Sequence, residues 1–219
     1  MNELLGYIYA NWPIVLKYSG LHIALVSVST TIAIAIAIPA GILVTRTNWR
    51  QYSSTVLAIG NTIQTVPTLA VIGLASTLMA IFSAGIGWWP AILALVLYSI
   101  LPILTNTISG IESLPASSIK AGRGMGLTDR QILNKIELPL AFPIILAGIR
   151  TAVVINIGTA ALAAAIGADC LGTLIFQGIS TGNMNILLAG AMPTAIIAVL
   201  TDLLFEIIER LKTTVNQKN

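Results

Sequence analysis

Few side chains in this 219-residue sequence have the chemistry of an active site or a metal centre. His22 and Cys170 are the single residues of their types, which leaves neither a His/Cys metal cluster nor a Cys/His nucleophilic pair. The sequence contains no Gly-Lys dipeptide, which a phosphate-binding P-loop requires. We therefore predict no catalytic residue, no metal site and no cofactor in this chain, and no ATP hydrolysis by it. The protein is not expected to be an enzyme.

The remaining candidates are polar side chains inside apolar stretches. Gln64, Tyr98, Asn106 and Asn156 could line a path for a substrate, and the ring face of Tyr98 could meet a cation. Amides between membrane helices also serve as packing hydrogen bonds, so both interpretations stay open.

Three acidic residues form a second pattern near the end of the chain. Asp202, Glu206 and Glu209 follow i, i+4, i+7 spacing and therefore share one face of a helix. Arg150 lies in another apolar stretch, and we expect it to be neutralised by Asp202 or Glu206.

The longest polar stretch runs from Glu112 to Pro139, and its pattern is typical of two short helices joined by a glycine bend. Pro115 suits the first turn of the first helix, and Gly126 supplies the positive φ that a sharp end requires. One side is apolar and the other basic, as expected of an element that docks in a groove of a soluble partner. The basic residues are Lys120, Arg123, Arg130 and Lys135.

The second helix of this stretch is predicted to begin at Thr128. Thr128 and Gln131 have the spacing of a capping box, in which each side chain bonds a backbone N–H of the other residue. Pro139 is expected to hold Leu138 out of helical geometry, because the residue before a proline avoids the α region. The second helix should therefore end before Pro139.

The rest of the chain, which must position these residues, has the composition of a membrane protein. Hydrophobic residues make up 56% of it and charged residues 9%. Five weakly charged stretches are long enough, at ~1.5 Å per residue, to cross a ~30 Å hydrocarbon core. They cover residues 21–44, 53–82, 91–111, 143–168 and 186–208. We predict an all-α membrane protein with about five transmembrane helices.

The domain organisation follows from these spans. Residues 1–20 are interpreted as an interfacial N-terminal segment, 21–211 as a single transmembrane domain, and 212–219 as a cytoplasmic tail. Residues 112–139 then connect spans 3 and 4. Span 2 contains Pro67 and fits either one kinked helix or a helix followed by a re-entrant piece.

The basic residues predict the orientation. If residues 112–139 are cytoplasmic, ten of the eleven Lys and Arg residues lie inside, and only Lys17 lies outside. The positive-inside rule therefore places the N-terminus outside and the C-terminus in the cytoplasm. The net charge of +3 does not indicate a nucleic-acid partner, because these residues lie at membrane edges and form no basic stripe.

The polar stretch resembles a known element. Lys120-Ala121-Gly122, then Gly126, then Ile136-x-Leu138-Pro139 has the spacing of the cytoplasmic EAA loop of importer-type ABC transporter permeases. In that family the loop inserts into a cleft of the ATPase subunit, and the resemblance implies the same coupling role for these seven residues. Lys120 stands where the family usually has Glu, and Gly122 where it usually has Ala.

Three further stretches look like the permeases of osmoprotectant importers, which move glycine betaine, carnitine or choline. They are residues 97–107, 137–150 and 171–178. The resemblance covers nearly the whole chain and implies a multi-pass protein of the bacterial inner membrane. The implied partners are a second permease chain, identical or paralogous, two cytoplasmic ATPase subunits that bind ATP and Mg, and an extracytoplasmic substrate-binding protein.

Two other classes of transporter stay open at this point. A permease of a methionine-type or other amino-acid ABC importer would have the same architecture and a similar loop. A secondary transporter would normally show a repeat between two halves of the chain and ionisable groups within the membrane, and the sequence shows no clear sign of either.

Overall fold

The computed structural model describes residues 2–46 and 50–216, and the regular structure in these residues is helical. The α-helices are α1 (Asn2–Ala10), α2 (Trp12–Val44), α3 (Ser53–Gln64), α4 (Thr68–Ala80), α5 (Trp88–Glu112), α6 (Ala116–Gly124), α7 (Asp129–Ile132), α8 (Leu138–Ala160), α9 (Leu171–Thr181) and α10 (Met184–Asn216). A π-helical segment, Leu133–Glu137, joins α7 to α8, and 3-10 helices cover Arg50–Tyr52 and Ala161–Ile166.

Four helical segments are long and apolar enough to cross a membrane, which confirms the prediction of an all-α membrane protein. They are Trp12–Val44, Trp88–Glu112, Asp129–Ile166 and Met184–Arg210. Helix α5 is the central one: it packs between α2 and α8, and it is the most buried of the four. Leu95 on α5 meets Leu25 of α2 and Ile157 of α8 in one core cluster.

The helix that contains the first predicted span begins before the apolar stretch itself. Helix α2 starts at Trp12, not at Leu21, and Pro13 fits its first turn because the missing N–H would have no partner there. The residues before Leu21 also contact the far end of the chain: Val15 is buried in a cluster with Leu174 of α9 and Ala189 of α10. Packing against α9 and α10 therefore extends α2 beyond the stretch that composition marks.

The second predicted span is two helices, α3 and α4, so no single helix continues through Pro67. Pro67 has φ −56° and ψ 131°, which is extended geometry, and it forms the N-cap of α4. Helix α3 ends at Gln64, three residues before the proline ring that would clash with a continuing helix. With 12 and 13 residues, each helix is about 20 Å long or less, too short to cross the hydrocarbon core alone.

The Gly-rich connection before the last span is folded onto the bundle. Helix α9 buries Leu171, Gly172 and Leu174, and it packs against α10 and the Ala161–Ile166 segment. A Cβ on Gly190 of α10 would lie 2.7 Å from the carbonyl oxygen of Leu171, so this glycine permits the close contact of the two helices. Helix α9 is therefore a packed element of the bundle.

Candidate functional site

The helix–bend–helix element between α5 and α8, residues 112–139, is the candidate site and is called the knob below. Its first helix, α6, ends in a Schellman motif. The Leu127 N–H donates to the Gly122 carbonyl oxygen at 3.1 Å, and the Gly126 N–H donates to that of Arg123 at 2.9 Å. Gly126 has φ +78°, as its place in the bend predicted. The bend is thus set by the one residue type that adopts this φ without strain.

The second helix of the knob begins as predicted. Thr128 is its N-cap, and both bonds of the capping box with Gln131 are present. The Thr128 N–H donates to the Gln131 amide oxygen at 2.9 Å, and the Gln131 N–H donates to the Thr128 hydroxyl at 3.4 Å. The start of α7 is therefore fixed by local sequence.

The predicted end of that helix at Leu138 is wrong. Leu138 is helical, with φ −62° and ψ −44°, and the chain runs from α7 through the π-helical segment into α8 without a break. The Leu138 N–H bonds the Leu133 carbonyl oxygen, five residues back, and this wider turn makes room before Pro139, which has no N–H to donate. A π turn, not a helix end, accommodates the proline.

The inner side of the knob holds the two helices together. Ile132 is buried, and Gly122 lies beneath Ile136 so closely that a Cβ on Gly122 would be 2.6 Å from the Ile136 Cδ1 atom. Leu138 is half-buried and Pro139 is exposed. Gly122 therefore permits the contact between the halves of the knob.

The outer side of the knob is exposed, basic and apolar in part. Lys120 and Ala121 are exposed, and so are Arg123, Arg130 and Lys135. Met125, at the bend, is 72% exposed. Asp129 lies 3.5 Å from Arg123 and offsets one of these charges. The surface combines positive charge with an apolar tip, which suits docking into a groove.

Sequence reasoning missed an ion pair at the base of the knob. An Nη2 N–H of Arg46, two residues after α2, donates to the Glu137 Oε2 atom at 2.6 Å. Glu137 is only 6% exposed. The sequence could have indicated the burial of Glu137, because this residue falls four residues before the buried Ala141 on the apolar stripe of α8. The sequence could not have indicated its partner, because Arg46 lies 91 residues away along the chain.

The four candidate path residues have different environments. Gln64 is exposed at the end of α3. The Tyr98 hydroxyl donates to the Val66 carbonyl oxygen, and the Asn106 Nδ2 atom donates to the carbonyl oxygen of Pro102, one turn earlier in α5, at 2.8 Å.

Asn156 is fully buried where α2, α5 and α8 meet. Its amide nitrogen donates to the Ser99 hydroxyl at 2.5 Å and reaches that of Thr30 at 3.4 Å. Asn156 makes the packing contacts that the alternative interpretation of these amides expected.

A bundle of membrane-spanning helices with an exposed helical knob defines a class of protein: the membrane subunit of a transport assembly. Residues 12–213 match the family model of the binding-protein-dependent transport system inner membrane component, and the chain belongs to this family. The resemblance inferred from the knob is confirmed, and the protein is a multi-pass membrane protein.

Relatives within this family are osmoprotectant permeases. The chain is 42% identical to the osmoprotectant import permease protein OsmW of Salmonella typhimurium, over 83% of each chain. It is 39% identical to the choline transport system permease protein OpuBD of Bacillus subtilis and 38% identical to the carnitine transport permease protein OpuCD of Listeria monocytogenes. These matches cover 100% of this chain and 94% and 95% of the relatives.

Solved structures with the same fold are ABC transporters. The MetNI methionine ABC transporter in an inward-facing conformation aligns with a TM-score of 0.80 and 25% identity, over 91% of this chain and 96% of that one. An amino acid ABC transporter solved with histidines aligns with a TM-score of 0.77 and 16% identity, over 93% and 96% of the two chains. The second match shows the fold alone.

Proposed function

We propose that this chain is the permease subunit of an ATP-driven importer that takes up a small osmoprotectant such as glycine betaine, carnitine or choline. The observation that carries the proposal is the knob: an exposed helix–bend–helix element with a basic face, on a chain that has no P-loop of its own. The energy for transport must then come from ATP hydrolysis by a separate subunit that binds the knob. The substrate class is taken from the relatives that match along the whole chain.

The assembly we propose contains two permease chains, identical or paralogous, two cytoplasmic ATPase subunits that bind ATP and Mg, and an extracytoplasmic substrate-binding protein. Closure of the ATPase subunits would carry the knobs with them and rock the spans between inward-open and outward-open arrangements. Residues 120–122, 126, 136, 138 and 139 of the knob serve this coupling. No residue of the permease performs chemistry.

We also propose five membrane crossings, with the N-terminus outside and the C-terminus in the cytoplasm. The Arg46–Glu137 contact places the end of α2 beside the knob. At the opposite end of the bundle, the Gly87 N–H donates to the Ile166 carbonyl oxygen at 2.8 Å, which brings the start of α5 to the end of the α8 segment. In the proposed topology, α3 and α4 together carry the chain across the membrane once.

The substrate path is proposed to run beside Gln64, which is exposed at the broken second span. The Tyr98 hydroxyl bonds the Val66 carbonyl oxygen between α3 and α4. Tyr98 would therefore fix the position of this unwound stretch beside the path. Asn106 and Asn156 bond within the bundle and would fix the helices that border the path. An unwound stretch next to an amide is the kind of place where membrane transporters bind solutes.

The test is reconstitution of the permease with its ATPase and binding protein in proteoliposomes. ATP-dependent uptake of labelled choline, carnitine or glycine betaine is expected, and excess unlabelled methionine should not compete. Competition by methionine alone would favour the second candidate, a methionine-type permease, which the MetNI alignment brings forward. Uptake without ATP, or ATP hydrolysis by the purified chain, would contradict the proposal.

A further inference from the structure

Glu137 has an environment unlike that of the other acidic residues whose burial the structure describes. It is the buried carboxylate among them, at 6% exposure, whereas Glu112 and Asp169 are exposed. A buried carboxylate is costly unless it is paired and hydrogen-bonded. Arg46 supplies both, through its Nη2 N–H at 2.6 Å from the Glu137 Oε2 atom. This site therefore requires its partner.

Arg46 is itself held in place at the end of α2. Its Nε N–H donates to the Ile42 carbonyl oxygen at 3.2 Å, one of the last carbonyls of the helix. The guanidinium thus bonds its own helix end and the distant carboxylate at once, which leaves its planar head little freedom. The side chain of Arg46 is 33% exposed, so the pair lies at the edge of the bundle with its acidic member inside.

Glu137 lies at the junction between the knob and α8. It is the last residue of the π-helical segment, directly before α8 begins at Leu138. On one side of the junction, Ile132 belongs to the apolar side of the knob, and on the other, Ala141 and Ile145 belong to the buried stripe of α8. The extra residue of the π turn brings these two faces into register. Any rotation of the knob relative to α8 must pass through this turn.

We propose that the Arg46–Glu137 pair is a coupling strut that ties the knob to the first span. Pinned at the π turn, the knob cannot swing on α8 alone, and a displacement imposed at its tip also moves the end of α2. The inference rests on the proposed function, since it presumes that an ATPase moves the knob. Arg46 and Glu137 are positioning residues: they transmit motion and touch neither nucleotide nor substrate.

The strut predicts uncoupling, not disassembly. In Glu137→Gln and in Arg46→Gln, the permease should still assemble with the ATPase, because the outer face of the knob is unchanged. ATP hydrolysis by the reconstituted complex should persist within about twofold of wild type, while uptake per ATP hydrolysed falls roughly tenfold, within the range typical of a coupling interaction. A double variant should be no worse than either single variant, because both changes break the same link.

The matched control is Glu206→Gln on α10, far along the chain from the knob. This change removes an exposed ion pair in which the Arg210 Nη2 atom lies 2.5 Å from the Glu206 Oε1 atom. Uptake and hydrolysis should both stay near wild type in this variant, since exposed pairs contribute little. Uptake and hydrolysis are measured in the same proteoliposomes, with the amount of bound ATPase as a third readout.

Three outcomes would overturn the strut. An uptake per ATP in Glu137→Gln equal to that of wild type would make the pair irrelevant to coupling. A parallel fall of hydrolysis, uptake and ATPase binding would make the pair only structural. Effects of the two single variants that multiply in the double variant would show independent roles. If the wild-type complex itself shows no ATP-dependent uptake, the proposed function fails, and that result is separate from these three.

Discussion

The guanidinium of Arg150 in α8 binds both carboxylate oxygens of Asp202 in α10. Its Nε and Nη2 N–H groups donate to the Oδ1 and Oδ2 atoms at 2.6 and 2.8 Å, a bidentate arrangement. A third bond runs from the Nη1 atom to the Oε2 atom of Glu209 at 3.0 Å. The expected pairing of Arg150 with Asp202 is confirmed. Glu206, the alternative partner, instead bonds Arg210 one turn along its own helix.

This geometry predicts that Asp202→Asn lowers the melting temperature of the detergent-solubilised protein more than Glu206→Gln does. The reason is that Asp202 joins two helices through two bonds, whereas Glu206 joins neighbouring turns of one. A double-mutant cycle between Arg150 and Asp202 should give a clear coupling, and one between Arg150 and Glu206 should give none. Equal couplings in the two cycles would contradict the assignment.

What the sequence could predict here depends on how local each cause is. The Thr128–Gln131 capping box and the positive φ at Gly126 involve residues within a few positions of one another, so their spacing was sufficient. The Arg150–Asp202 pair, although distant, was predictable because charges are scarce within the spans and must be neutralised.

The features that were missed result from tertiary packing. Pro139 predicts a helix end by its own preferences, yet the bundle holds residues 129–166 as one helical segment, and a π turn absorbs the conflict. Helix α2 extends to Trp12 because Val15 packs in a buried site against α9 and α10. The residues near Val15 in the sequence do not indicate this contact. The pairing of Arg46 could not be predicted either, because a basic residue at a membrane edge fits the positive-inside rule without any partner.

The proposed orientation can be tested with the native cysteine in place. Cys170 is fully buried, its Sγ atom lies 3.3 Å from the Ala160 carbonyl oxygen, and burial raises the pKa of its thiol. A raised pKa means less thiolate than in an exposed cysteine at any pH below it, so the wild-type protein should resist maleimide at pH 7–8. Labelling should appear once the chain is unfolded in detergent.

Because Cys170 should not react in the folded protein, labelling of single introduced cysteines should show which side of the membrane each lies on. Ser117→Cys, on the exposed surface of the knob, should be labelled by an impermeant maleimide only in inside-out vesicles. Ser180→Cys, exposed at the end of α9, should be labelled only in intact spheroplasts. The reverse pattern would reject the orientation, and strong labelling of the folded wild type would reject the burial of Cys170.

The contact between Gly122 and Ile136 predicts a specific rescue. In Gly122→Ala, the new methyl group would lie 2.6 Å from the Ile136 Cδ1 atom, so the end of the Ile136 side chain must leave its preferred rotamer, which typically costs about 0.5–1.5 kcal/mol. Ile136→Val removes that one atom. The double variant Gly122→Ala/Ile136→Val should therefore be more stable than Gly122→Ala alone, as measured by thermal unfolding in detergent. A double variant that is less stable by the sum of both single effects would show that the two residues do not meet.

The bend at Gly126 gives the most direct test of the knob as the coupling element. A Cβ at this position would meet no atom within 4 Å, so the effect of a substitution comes from the backbone alone. A residue with a side chain pays about 1–2 kcal/mol for a left-handed φ, and a β-branched one is a genuine outlier there. Gly126→Val should therefore open the bend and weaken the bond from the Leu127 N–H to the Gly122 carbonyl oxygen.

The expected result for Gly126→Val is insertion at normal levels with loss of ATPase co-purification and of uptake, because Lys120 and Ala121 would then point away from Ile136 and Leu138. Gly124→Ala is the matched control for stability. It lies two residues away within α6, its Cβ would also meet nothing, and alanine favours a helix over glycine by about 1 kcal/mol. This control should leave the melting temperature unchanged or higher. Full ATPase binding and uptake in Gly126→Val would mean that the ATPase does not read the shape of this bend, and the knob would lose its proposed role.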